Sequence, residues 1–163
     1  MSTRPASYAW ITTRHYPYRV ESLACGRDVL IGIGGNLGDT VERFERLFRY
    51  WRQSKQLRIV QTSPILRNPP FGYVDQPDFY NAVMAVRTAL SPQMLLRYIL
   101  YTEKRFGRQR SFPNAPRTLD LDMLMYNDRV VRTRRLRVPH PHWRERASVV
   151  WPLEQLKGAA CLI

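Results

Sequence analysis

The stretch Arg117-Thr118-Leu119-Asp120-Leu121-Asp122 alternates apolar and acidic side chains, and that period of two commits it to a strand. Along a strand rising roughly 3.3 Å per residue, Asp120 and Asp122 share a face with their backbones about 7 Å apart. Leu119, Leu121 and Met123 take the other face. Two like charges on a buried strand need a cation between or beside them. Either the acids lie on a solvated face paired with arginines, or they hold Mg²⁺ with a bound phosphate in its shell. The company they keep favours the second reading. Arg108, Arg110 and Arg117 precede the pair, and His140, Arg144 and Arg146 follow it. Guanidinium forks together with a metal are how proteins neutralise a transferring phosphoryl group.

At 163 residues, the chain suits one domain with its own core and is short for two. Residues 1–27 read as an N-terminal extension and 28–163 as the domain. No apolar run approaches the roughly 20 residues of a membrane helix, and the first 27 residues lack the apolar segment of a secretory leader. Cys25 and Cys161 lie near opposite ends without metal-ligand spacing, which is read as two incidental thiols in a reducing cytoplasm. The formal charge is +13, and residues 28–163 hold 22 basic against 12 acidic side chains, so the excess belongs to the body. This favours anionic partners, nucleotides or nucleic acid alike.

In the extension, Tyr8 to Thr13 alternates enough for a short strand; the segment reads as a packing arm or loose tail, or else as an extra edge strand or self-association arm. Asp28 to Ile33 predicts a strand ending in Gly34-Gly35-Asn36-Leu37-Gly38, a turn that matches neither the dinucleotide fingerprint nor a P-loop. Asp39 or Thr40 caps a helix with Val41, Phe44, Leu47, Phe48 and Trp51 on its buried side. Gln56 to Leu66 reads as a strand, followed by a long proline-bearing loop from Asn68 to Asp78, of a length that is more often functional than ornamental. Ala82 to Val86 is apolar enough for a central strand, and Ser91-Pro92 opens a helix ending near Glu103, where a surface ion pair is expected. Beyond the acidic strand, Val130-Val131 predicts a short strand, the arginines from 132 to 137 a solvated face, Pro139 to Trp143 a turn into a short helical segment carrying Arg144 and Arg146, and Val149 to Leu153 a return to the core. His140 and His142 have no third metal ligand in view, so a phosphate-contacting or core histidine is the simpler reading.

Gly34-Gly35-Asn36-Leu37-Gly38, Asn68-Pro69-Pro70-Phe71-Gly72, Asp75-Gln76-Pro77-Asp78-Phe79-Tyr80-Asn81, Gly107-Arg108, Pro116 through Asp122, and Pro139-His140 with Glu145-Arg146 resemble, in order and nearly in spacing, the 6-hydroxymethyl-7,8-dihydropterin pyrophosphokinase family. The resemblance runs from about Val29 to Leu156. It implies an α+β, ferredoxin-like sandwich with a central, mainly antiparallel sheet and helices packed on one face. It also implies transfer of pyrophosphate from ATP to the pterin hydroxymethyl group, releasing AMP, in folate biosynthesis. Carried over by position, Asp120 and Asp122 hold two Mg²⁺, and Arg108 and Arg117 join them in catalysis. Glu103, Arg108, Arg110, Arg117, Arg135, His140 and Arg146 meet ATP. Gly34, Asn68, Phe71, Phe79 and Asn81 meet the pterin, with Phe79 stacking on it. The implied partners are these small molecules alone, without nucleic acid or membrane, in a cytoplasmic monomer.

Four positions depart from the family pattern. Gly35 replaces the usual serine and Phe79 the usual tyrosine. Pro113-Asn114-Ala115 replaces an Arg-Trp-Gly in a loop one residue shorter, and Ser148 stands where a second aromatic often sandwiches the pterin. Two other readings share the charge pattern. One is an RNA-binding module, which lacks the aromatic-rich strand motif and places acids where phosphate would lie; the other is a family relative that binds without turnover.

Overall fold

The computed structural model describes residues 8–24, 26–109 and 111–162. In chain order these form β1 (Ala9–Ile11), β2 (Tyr18–Arg19), β3 (Val29–Gly35), α1 (Thr40–Arg52), β4 (Arg58–Thr62), β5 (Ile65–Asn68), β6 (Phe79–Arg87), α2 (Pro92–Arg105), β7 (Asp120–Tyr126), β8 (Val131–Arg132), β9 (Arg137–Val138) and α3 (Ala147–Glu154). A 3₁₀ turn at Trp143–Glu145 leads into α3, and another at Ala159–Cys161 follows it. Asp39 caps α1 by accepting from the Glu42 amide, and Ser91 caps α2 from the Met94 amide with Pro92 at the first helical position.

Seven strands make one antiparallel sheet in the order β1-β5-β6-β3-β7, with β4 beside β5 along the same edge of β6 and β2 outside β4. The strand expected from Gln56 to Leu66 is therefore broken in two. At the break, Ser63 exchanges hydrogen bonds with Val83, amide to carbonyl and hydroxyl from amide, both 2.9 Å, so Pro64, which lacks an amide proton, falls in the gap between the two strands. β8 and β9 form a separate hairpin, in which buried Leu136 interrupts the arginine run and buried Val138 follows it.

α1 and α2 cover one face. Phe44, Leu47, Phe48 and Trp51 of α1 and Leu95 and Ile99 of α2 pack on Ile31, Ile33, Met84 and Val86, each large side chain stabilising the fold by about 1.5–3 kcal/mol through burial. The opposite face, with Leu30, Val83, Ala85 and Leu124, is covered by α3 and its flanking turns through Trp143, Leu153, Leu156 and Ala159. This third helix covers only part of that face, and the remainder is open.

Three local expectations are corrected. Glu103 is buried instead of forming a surface pair, because its carboxylate accepts the Leu121 amide at 3.1 Å and lies 3.6 Å from the Arg108 guanidinium. Trp151 does not return to the core with Leu153; it is 41% exposed, since Leu153 and Pro152 take the buried side of α3. Cys161 is disulfide-bonded and not a free thiol. The fold brings Leu23 beside Lys157 and Gly158, with the Leu23 amide donating to the Lys157 carbonyl at 2.7 Å, a proximity that sequence separation conceals. Cys25 lies outside the described residues.

The N-terminal segment is an edge strand. β1 pairs with β5, and Thr13, His15 and Tyr16 tie the following turn to α1. His15 donates its amide to Glu45 at 2.9 Å, its ring nitrogen meets the same carboxylate at 2.7 Å, and its ring stacks on Phe48 at 4.1 Å.

Candidate active site

Strand register decides where the acids point. Gly32 lies opposite Asp122, and Gly34 lies opposite Asp120 on one side and Asn81 on the other. Both acids therefore face the open part of the sheet beside α3, across from residues without side chains. Glycine is required here by space. A Cβ at Gly34 would come 2.8 Å from Asn81 Oδ1, and one at Gly35 2.6 Å from the Thr118 carbonyl oxygen. The result is a cleft of about 640 Å³, within the ordinary size of a small-molecule site.

The acidic pair is asymmetric. Asp120 accepts from Arg108 at 2.9 Å and from Arg117 at 3.0 Å. Asp122 makes no hydrogen bond or ion pair with any described residue, and burial first, then the Asp120 charge, push its carboxyl up to about 7, against the opposing pull of Arg146 and Arg117. Arg108 is itself held by the Leu119 carbonyl at 3.2 Å, and its Nε is buried without a partner among the described residues. His140 is half-buried, and burial followed by the charges of Arg146 and His142 lowers its pKa against the pull of Asp120, so it faces the cleft as a neutral imidazole.

Whether this donor set suits a metal follows from its chemistry. Among the described residues no three His, Cys, Asp or Glu side chains converge. Two carboxylates, one of them half-buried and without a partner among the described residues, match a hard cation whose other positions are filled by water and phosphate oxygens. The residues present fit Mg²⁺ on those grounds.

On the β5–β6 side the lining changes to amides and aromatics. Asn81 Nδ2 donates to Asn68 Oδ1 at 2.6 Å, and Asn68 donates to the Pro69 carbonyl at 2.9 Å. Phe79 borders the cleft with the Arg117 guanidinium 5.2 Å above its ring, and Phe71 enters from the loop, largely exposed.

The cleft thus gathers Gly34, Asn68, Phe71, Phe79, Asn81, Arg108, Arg117, Asp120, Asp122, His140 and Arg146 from the sequence-based set. Glu103 is not in the lining; it sits behind β7 as a support for Leu121 and Arg108. Arg135 lies exposed in the β8–β9 turn, also outside the lining. Arg110 falls outside the described residues. Trp143 is buried beneath α3 and leaves Ser148 in the wall.

Sequence reasoning missed the residues that hold the site together. Asn36 is the hub of the glycine turn. It donates to Gln76 at 2.9 Å and the Pro77 carbonyl at 3.0 Å, and it accepts from the Arg117 amide at 2.9 Å. Arg43 of α1 donates to the Leu37 and Thr118 carbonyls at 2.5 and 3.1 Å. The two long loops also meet: Gln76 donates to the Asn114 carbonyl at 2.9 Å, and the Tyr73 and Phe112 rings cross edge to face at 5.5 Å. An asparagine inside a glycine turn was the one signal available, since its side chain bonds readily to nearby backbone. Tyr8, from the N-terminal segment, lines the cleft as well.

A family model described as 7,8-dihydro-6-hydroxymethylpterin-pyrophosphokinase matches residues 30–158. The chain is similar to the 2-amino-4-hydroxy-6-hydroxymethyldihydropteridine pyrophosphokinase of Campylobacter jejuni, 42% identical over 142 residues that span 86% of this chain and 90% of the relative. The enzyme of the same name in Helicobacter pylori is 40% identical over 146 residues, 88% of this chain and 90% of its own. A folic acid synthesis protein of Dictyostelium discoideum is 37% identical over 128 residues, covering 78% of this chain and 19% of that longer protein. With the matched span running from β3 to the turn beyond α3 and enclosing both the acidic pair and the amide pair, the chain belongs to the 7,8-dihydro-6-hydroxymethylpterin-pyrophosphokinase family.

Proposed function

We propose that the chain transfers pyrophosphate from ATP to the hydroxymethyl oxygen of 6-hydroxymethyl-7,8-dihydropterin, releasing AMP, as a step of folate biosynthesis. The observation that carries this reading is the divided cleft: two acids amid arginines on the β7 side, and an amide pair with an aromatic ring on the β5–β6 side. A flat heterocycle with polar edges needs the second environment and a triphosphate the first.

Asn68 and Asn81 hold the pterin edge by hydrogen bonds, and Phe79, with Phe71 at the rim, contacts its face. Gly34 lets the ring sit close to the sheet. Arg117, Arg146 and His140 bind phosphate oxygens, and Arg108 balances charge beside Asp120. Arg110, Arg135 and Glu103 are assigned to the nucleotide end on the family pattern alone. Asp120 and Asp122 would hold Mg²⁺, two ions on the same pattern, and the metal would supply positive charge to offset the negative charge that grows on AMP. The hydroxymethyl oxygen attacks the β-phosphorus in line with the bond to AMP; that bond breaks, and the hydroxyl proton passes to water or a phosphate oxygen. The residues act by positioning and charge stabilisation, with no covalent step on the protein.

Among the described residues no helix is long and apolar enough to cross a membrane. Action on small molecules accords with the size of the cleft; a cytoplasmic monomer without nucleic acid is read from the family pattern. The Cys161 disulfide removes the free-thiol argument for that compartment, so unchanged turnover in excess reductant is the check on it. The deciding experiment is AMP release by the purified protein with MgATP, with and without the reduced pterin. Pterin-dependent AMP is the expected result; its absence with both ligands intact overturns the assignment, and salt-sensitive RNA binding in its place would favour a nucleic-acid module.

A further inference from the structure

Tyr8 is the one described residue lining the cleft that precedes the matched span, which begins at residue 30. Its position is built by the edge strand. Ala9 pairs with Arg67, Trp10 with Leu66 and Ile11 with Ile65, so β1 runs beside the strand that ends in Asn68, and Tyr8, the residue just before β1, emerges at the cleft. The anchors lie further along the chain: Thr13 and His15 on Glu45, the Tyr16 hydroxyl on the Phe44 carbonyl at 2.9 Å, and Thr62 on the His15 carbonyl. None of these touches the cleft, and together they hold the strand whether or not a ligand is present.

The wall that Tyr8 joins lacks an aromatic face of its own. Where α3 borders the cleft it presents Ala147, Ser148 and Val149, and the aromatic residues lining the other side are Phe71 and Phe79. The Tyr8 ring rests on Trp151 of α3, centroids 4.9 Å apart and planes inclined by 59°. Trp151, 41% exposed, serves as its platform. Half-buried, with its hydroxyl unpartnered among the described residues, Tyr8 offers a ring face to the space that the small side chains of α3 leave open.

We propose that Tyr8 is a substrate-binding residue, supplying from the N-terminal edge strand the aromatic contact that the α3 wall lacks, for a flat heterocycle held against Asn68, Asn81 and Phe79. This rests on the pterin reading of the cleft. A ring-on-ring contact of this kind alters affinity by about two- to tenfold, and because the anchors order the strand beforehand, little of that gain is lost on binding. The segment before the matched span then tunes heterocycle affinity and leaves the phosphate end untouched.

The test measures KM and kcat for pterin and for MgATP, equilibrium pterin binding with a non-hydrolysable ATP analogue, and Tm, in the wild type and in Tyr8→Ala, Tyr8→Leu, Tyr8→Phe and Trp10→Ala. The Leu variant keeps apolar bulk on Trp151 without a ring, and Trp10→Ala perturbs the same strand away from the cleft. Pterin KM and Kd should rise about five- to tenfold in the Ala and Leu variants, with MgATP KM unchanged and the Phe and Trp10 variants near wild type. Wild-type pterin affinity in Tyr8→Leu overturns the role. So does a matching loss in Trp10→Ala or an equal rise in both KM values, since either marks a purely structural strand. A wild-type protein that neither binds pterin nor makes AMP overturns the parent assignment as well, and is told apart by the wild-type control alone.

Discussion

At the scale of single residues, Asp122 carries a conflict between stability and chemistry. Its carboxyl is half-buried, unpaired among the described residues, and raised from 3.8 to about 7 by burial and by Asp120. An acid whose folded-state pKa is raised disfavours the fold in its charged form. The penalty is absent below 3.8, grows as pH rises, and is complete above about 7. Asp122→Asn should therefore raise Tm in metal-free protein at pH 8 and leave it unchanged near pH 3, while kcat falls by about 100-fold or more. Thermal melts at the two pH values and an AMP assay read both effects; a variant of lower Tm with full turnover would remove Asp122 from the site. The side chain is legible in the sequence as half of a pair. That it is the unpaired half is not, because the arginine partners reach Asp120 only through the loop that leads into β7.

At the scale of elements, β1 and the turn after it depend on one buried carboxylate. Burial acts to raise Glu45, but the hydrogen bonds from Thr13 and His15 outweigh it and leave the pKa below its ordinary 4.5. A depressed acid contributes stability that is present above the unfolded value and lost as pH falls through the folded one. Glu45→Gln should lower stability by about 1.5–3 kcal/mol at pH 7, the usual weight of hydrogen bonds to a charged group, and its deficit should shrink once pH drops below 4.5. Tm against pH for the two proteins checks this; a deficit independent of pH would sink the charge argument. The strand expected at Tyr8 to Thr13 is present as Ala9–Ile11, but nothing local shows that Glu45, a lone acid on an amphipathic helix, closes over it. Similarly, α1 and α2 are readable from their caps and apolar spacing, and the short helical segment after Pro141 is present as the 3₁₀ turn at Trp143–Glu145, whereas α3 has no side-chain cap and carries Pro152 inside it, so its pattern does not announce a helix.

For the whole molecule, the half-open face of the sheet is the functional fact. A cleft that exists before ligand binds predicts stabilisation by mass action. MgATP at 100 times its Kd should add about 2.7 kcal/mol, or roughly 5–10 °C in Tm for a chain of this size, and EDTA should abolish most of that shift. An equal shift without the metal would refute the role given to the acid pair. The +13 charge brings anions to this face without choosing among them; the shape of the cleft and its amide pair make that choice.

Local patterning determined α1, α2 and the central strands, the shared face of Asp120 and Asp122 and the family, because period-two alternation, capping residues and ordered motifs act over a few residues at a time. The tertiary structure alone decided which glycines oppose those acids, that Asn36 joins three segments, that Cys161 has a disulfide partner and that Tyr8 reaches the cleft. Each of these depends on strand register and on segments distant in the chain meeting in space, and neither leaves a trace in local sequence.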